Sequence, residues 1–260
     1  MNRLNTIWLL GIALFSLSFL LPGDKPTPLQ KTVYHRLGDR TLTLVSTQFG
    51  KNNNWGFVHL HDDEQTALEA TRSLLTREGG QLVRLSNWNK RFVRFRVHGK
   101  FYSFDPNGMF TREGVERSLR LLGRYHPDAA REAVELGQRF LQLLPDSIQG
   151  IISLHNNTPG YFSVLSYAAG GDKAREAKAV YVNPAEDPDD FFLVTQEAHF
   201  QKIKARGYNC VWQDNEGCTD DGSLSVYCGK KGIPYINCET EHGKVSKYRE
   251  MMEWLMANGR

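Results

Sequence analysis

The stretch FVHLHDDEQTAL, residues 57 to 68, places His59, His61, Asp62, Asp63 and Glu64 within six positions. Imidazole nitrogens and carboxylate oxygens are the donors of catalytic zinc sites, which commonly take two histidines and one carboxylate and leave a fourth position to water. His61 and Glu64 stand three apart. If His61 closes a strand and Glu64 lies in the first turn of the next helix, both side chains point at one spot. His155, at the end of the apolar run GIISLH, can supply the second nitrogen. His59 shares the strand face of His61 and is a rival ligand, although packing behind the site suits it better. The cluster also has a reading without metal, because Asp62, Asp63 and Glu64 are the residue types that cap and charge the start of a helix.

These residues need elements to carry them. TVYHRL, TLTLVSTQ, GFVHLH and QLVRLS read as strands, and RFVRFRV with KFYSF reads as a hairpin turning at His98-Gly99. Apolar residues at Ala67, Ala70, Leu74 and Leu75 follow helical spacing over Asp63 to Arg77, and Gly79-Gly80 stops that helix. Further helices are expected over Thr111 to Gly123, Pro127 to Leu144, Glu197 to Ala205, Leu224 to Cys228 and Val245 to Met256. They alternate with the strands GIISLH, AVYV, FFLVT, NCVWQ and PYINCE. Apolar strands without strict alternation suit a sheet covered on both faces. The expectation is an α/β three-layer domain over residues 33 to 260, with a mostly parallel or mixed central sheet and helices on both faces.

The chain of 260 residues is 40% hydrophobic, enough for one substantial core. Lysine plus arginine outnumber the acids by 32 to 29 without long basic runs, so no nucleic-acid partner is expected. Arg3 precedes an apolar stretch of fifteen residues, Ile7 to Leu21, closed by Pro22 and Gly23. This stretch falls short of the roughly 18 to 20 residues that span a bilayer comfortably. Residues 1 to 23 are read as a secretion leader or an uncleaved membrane anchor, followed by a linker over 24 to 32. The expected location is exported, periplasmic or extracellular, with membrane attachment through the N-terminal segment if it is retained. Cys210, Cys218, Cys228 and Cys238 lack paired C-x-x-C spacing. In an oxidising compartment they are expected to form two disulfides, Cys210 with Cys238 and Cys218 with Cys228.

The order His61-x-x-Glu64, DPN at 105 to 107, SLHNNT at 153 to 158 and YINCETEHG at 235 to 243 resembles the zinc carboxypeptidase superfamily. It is nearest the aspartoacylase and succinylglutamate desuccinylase branch, over roughly residues 56 to 258. The resemblance implies zinc held by His61, Glu64 and His155, with the late strand-end glutamate as catalytic base. The apolar run ends at Cys238, which puts Glu239 at the sheet mouth and Glu241 in the loop beyond. Glu239 is therefore assigned the proton transfer.

An arginine usually stabilises the developing oxyanion in this superfamily. Arg94 and Arg96 lie on one face of the hairpin, and Arg96 is the first choice with Arg94 beside the substrate. Asn107 and Asn156 are expected to contact substrate. Gly108 stands where the related branch has an arginine directly after its Asp-x-Asn sequence, and Arg112 is a candidate replacement clamp for a carboxylate. The function expected is an exported zinc hydrolase of an amide bond in a peptide or N-acylated amino compound, with cell-wall peptides among the candidates. The alternative is a catalytically inactive binding protein on the same scaffold. Oligomeric state is left open.

Overall fold

A computed structural model of the chain describes residues 27–51 and 54–259, so the leader or anchor over 1 to 23 lies outside the described residues. The described residues form eleven strands and six α-helices, interspersed in chain order. The strands are β1 (Leu29–Leu37), β2 (Arg40–Phe49), β3 (Trp55–His59), β4 (Gly80–Ser86), β5 (Val93–Val97), β6 (Lys100–Phe104), β7 (Gly150–Asn157), β8 (Ala177–Tyr181), β9 (Phe191–Val194), β10 (Asn209–Gln213) and β11 (Tyr235–Glu241). The helices are α1 (Gln65–Glu78), α2 (Arg112–Leu121), α3 (Pro127–Leu141), α4 (Glu197–Arg206), α5 (Leu224–Lys231) and α6 (Val245–Trp254).

Nine strands form one mixed sheet in the order β1-β2-β4-β3-β7-β11-β9-β10-β8. Its centre, β4-β3-β7-β11, is parallel throughout. Adjacent residues of one strand enter opposite layers: Phe57 and Ile152 pack with α1, α4 and α6, whereas Val58 and Ile151 pack with α2, α3 and α5. Both faces are covered, which is why these strands read as continuous apolar runs. The fold is the α/β three-layer architecture expected. β5 and β6 form a separate two-stranded sheet, and its turn residues His98 and Gly99 both have positive φ, 48° and 73°, as a tight hairpin requires.

Two expectations are corrected. All four cysteines are free thiols. Cys210 and Cys238 pair in register with Phe192 from its two sides, so β9 lies between them. Two strand spacings separate their Cα atoms by about 9–10 Å, whereas a disulfide spans no more than about 7 Å. In addition, β11 continues to Glu241 instead of ending before it.

Candidate metal centre and catalytic cavity

The parallel strands β3, β7 and β11 are neighbours, so their carboxyl ends open on one edge, where ligands gather in open α/β sheets. His61 follows β3 by two residues, His155 lies on β7, and Glu239 stands directly opposite His155 in the β7–β11 register. They line a cavity of about 820 Å³.

His61 Nδ1 lies 2.8 Å from Glu64 Oε1 and His155 Nδ1 lies 3.0 Å from Glu64 Oε2. One donor atom from each of the three falls within 4.8 Å of the others, and all three side chains are buried. The opposite ring nitrogens are engaged elsewhere: His61 Nε2 with Asp105 Oδ1 at 2.6 Å, and His155 Nε2 with Ser153 Oγ at 2.9 Å. Such contacts fix ring orientation and leave both Nδ1 atoms for a shared partner. Two imidazoles and a carboxylate fit zinc by donor type and number.

Helix capping does not account for Glu64. It occupies the N-cap of α1, yet its side chain makes no capping hydrogen bond. Asn156, from β7, accepts from Ala67 N at 2.9 Å and so supplies the acceptor that the helix start lacks. Asp62 faces away from the helix and accepts from Asn87 N and Asn89 N at 2.7 and 2.9 Å. His59 is fully buried and its Nε2 lies 2.9 Å from the Glu64 carbonyl oxygen, behind the donor group.

Charge is concentrated here. Burial opposes ionisation of Glu64, but His61 and His155 outweigh it and hold the carboxyl well below its usual range. Burial likewise works against a charged His61, yet Glu64 and Asp105 raise its pKa to about 10. Asp105 is held at about 2 despite burial, by His61 and Arg91. Glu239 moves the other way: burial, against the pull of His155, pushes its pKa up to about 7. Its Oε1 accepts from Asn237 Nδ2 at 3.0 Å, while Oε2 has no hydrogen-bond partner among the described residues. A carboxylate with one free oxygen and a pKa near neutrality suits proton transfer in both directions.

Arg91 is the cation that touches the donor group. Its Nη1 donates to Glu64 Oε1 at 2.7 Å and its Nη2 lies 3.4 Å from Asp105 Oδ2. Asp62 clamps the preceding turn, and Asn87 Nδ2 holds the carbonyls of Lys90 and Phe92. The sequence reading missed Arg91 by placing it inside a strand that begins only at Val93. The turn-forming run SNWN just before it is the signal that marks it as a loop residue.

Arg94 and Arg96 are corrected. They alternate with the buried Val93, Phe95 and Val97, so both face solvent and stack on Phe101 at 4.1 and 4.3 Å, outside the cavity. Arg112 is also outside, exposed and paired with Glu116, while Arg117, further along α2, lines the cavity. Asn107 lines it too, with Oδ1 accepting from Leu224 N at 3.2 Å. Asn156 borders the cavity, but its amide is committed to backbone at Ala67 N and Thr240 O, so its part is positional and not substrate contact. A Cβ on Gly108 would meet Asp221 O and Ser118 Cβ at 3.5 Å, ordinary contact against a wall of the cavity. Glu241 pairs with Lys244 at 2.8 Å and does not line it. Tyr161, Phe162 and Tyr167 form an aromatic side that the sequence did not single out.

No family model matches this chain, and no curated protein does. Among solved structures it is similar to an aspartoacylase family protein from Mesorhizobium loti, at 15% identity and a TM-score of 0.45, covering 90% of this chain and 68% of that one. It is also similar to a metallo-carboxypeptidase from Burkholderia cenocepacia, at 10% identity and a TM-score of 0.44, covering 87% and 64%. A third is the murein-tripeptide amidase from Escherichia coli O157, at 14% identity and a TM-score of 0.43, covering 90% and 92%. The chain thus spans about two thirds of the first two and most of the third.

Proposed function

We propose that this chain is an exported zinc-dependent hydrolase that cleaves an amide bond in a peptide or an N-acylated amino compound. The observation that carries the reading is the convergence of His61 Nδ1, His155 Nδ1 and the Glu64 carboxylate in the wall of a cavity that also holds the unpaired Oε2 of Glu239. Zinc, when bound, supplies a Lewis acid and lowers the pKa of its water to about 7. Glu239 takes the proton from the attacking water and returns it to the leaving nitrogen. Arg91 presents N–H donors toward the negative charge that develops on the carbonyl oxygen. Asp105 and Ser153 hold the two imidazoles in the orientation that aims both Nδ1 atoms at Glu64. Export draws support from the apolar stretch at 7 to 21 alone; among the described residues no helix is long and apolar enough to cross a membrane.

The binding-protein alternative draws on Gly108, which removes a guanidinium that a substrate carboxylate could use. Arg117, exposed and lining the cavity, offers a cation from another element. The test is metal content of protein purified without chelator, together with turnover on a mixed panel of peptides and N-acyl amino acids. Zinc with turnover supports the hydrolase. Zinc without turnover on any amide puts the binding protein in front, and full zinc occupancy in His155→Ala shows that the ligand set is wrong.

A further inference from the structure

Between Ser86 and Phe101 the chain holds five basic residues, Lys90, Arg91, Arg94, Arg96 and Lys100, and no acidic one. Arg91 turns into the cavity. The other four are exposed, and the fold sets two of them into one connected face. Arg40, from β2, stacks over Trp88 at 4.2 Å and donates from Nη1 to Arg94 O at 2.8 Å. Arg94 and Arg96 both stack on Phe101. Arg40, with Nη2 also donating to Asn87 Oδ1 at 3.1 Å, thus ties the Trp88 turn to the Arg94 backbone, and Arg94, Phe101 and Arg96 continue the face, with Phe92 beside Arg91. Trp88 and Asn89 have positive φ, 55° and 56°, and the Asp62 clamp on the flanking amides fixes a turn that leaves the indole 74% exposed. Phe92 and Phe101 are 44% and 45% exposed.

We propose that this face docks on an anionic phospholipid bilayer. A guanidinium stacked on a ring keeps its N–H donors in its own plane, free to take phosphate oxygens in pairs. Arg94 makes no ion pair among the described residues, and Asp39 meets Arg96 only at 3.7 Å. Exposed tryptophan and phenylalanine beside arginine match the boundary between headgroups and acyl chains, where an amphipathic ring has both of its preferred surroundings. Single-stranded nucleic acid fits less well, because it needs open ring faces for bases and Phe101 carries two arginines while Trp88 carries one. On the export reading proposed above, the apolar stretch at 7 to 21 would bring the chain to a membrane. The docking face does not depend on the reaction proposed for the cavity.

The experiment is partition of the full chain onto phosphatidylcholine vesicles with and without a minority of phosphatidylglycerol, at low and high salt, compared with Arg94→Glu/Arg96→Glu. An apolar N-terminal segment binds both vesicle types alike, so the readout is the excess on anionic vesicles. That excess should weaken with salt. It should fall by at least about 30-fold in the double variant, from the contribution of each basic residue near an anionic surface. Quenching of indole emission by brominated lipid should shrink in Trp88→Phe. Thermal melting checks that the double variant folds, and Arg94→Gln/Arg96→Gln replaces it if it does not. Equal partition onto both vesicle types, an anionic excess that survives the double variant, or tight binding of a single-stranded oligonucleotide without any lipid preference would each overturn the proposal.

Discussion

Two strand regions carry the polar residues that drew notice in the sequence, and they treat them in opposite ways. Along β7 all eight residues are buried, polar ones included: Ser153, His155, Asn156 and Asn157. Along β5 the pattern is strictly alternating, with Val93, Phe95 and Val97 buried and Arg94 and Arg96 exposed. A strand covered on both faces has nowhere to send a polar side chain, so each one must find a partner, and at the carboxyl end those partners make a site. A strand with one face on the core sends every second residue to water, where arginine costs nothing to place. Polar residues within β7 therefore mark function at the sheet edge, whereas those within β5 are set by the alternation and belong to a surface.

The most forceful way to break this contrast is Glu239→Gln, which keeps size and hydrogen bonding but cannot accept a proton. Turnover should fall about 10²- to 10⁴-fold with zinc content unchanged. Steady-state rates beside metal analysis check it, and a comparable loss in Glu241→Gln alone would reverse the assignment. A second test pairs two arginines. Arg91→Ala should lower kcat about 10²- to 10³-fold, the scale of a lost oxyanion donor, while Arg96→Ala on the solvent side of β5 leaves kcat as it is. Similar losses in both would show that the hairpin reaches the chemistry. Asp105→Asn comes next: it weakens the hold on His61 Nε2, and zinc affinity measured against a competing chelator should drop about 10- to 100-fold.

The smallest effect separates two buried carboxyls at the same sheet edge. Asp190 precedes β9, whose first residue pairs with Glu239. Burial raises its pKa to about 6, with Lys244 opposing, and its Oδ1 has no hydrogen-bond partner among the described residues. The folded-state pKa lies above the unfolded value of about 3.9. Stability from this group is thus fully present below about pH 4 and is lost as pH rises through 6. Asp190→Asn should remove that loss, gaining about 1–3 kcal/mol over the native chain at pH 7 and little at pH 4. Urea unfolding at the two pH values measures the difference, and a gain that does not depend on pH would assign the effect to packing.

Local pattern carried much of this in the sequence. His61 and Glu64 bracket a strand-to-helix junction, His155 and Glu239 sit at the ends of apolar runs, and the hairpin turn lies at His98-Gly99, all of which follow from periodicity and turn chemistry over a few residues. Sequence alone also established a chain with a core large enough for an α/β domain and an apolar stretch near its start. What it left undecided are relations across strands. Cys210 and Cys238 look alike as strand residues, but only the sheet order puts Phe192 between them. Arg91 reaches Glu64 and Asp105 from a turn that Asp62, distant in sequence, grips just before it. Asn156 caps a helix through Ala67 N, 89 positions earlier. Arg40 joins Trp88 to Arg94 only because the hairpin packs beside β2. Periodicity records which face of its own element a residue occupies; which elements become neighbours is fixed by how all the apolar faces bury together, and the residue that completes a site or a surface is chosen at that step.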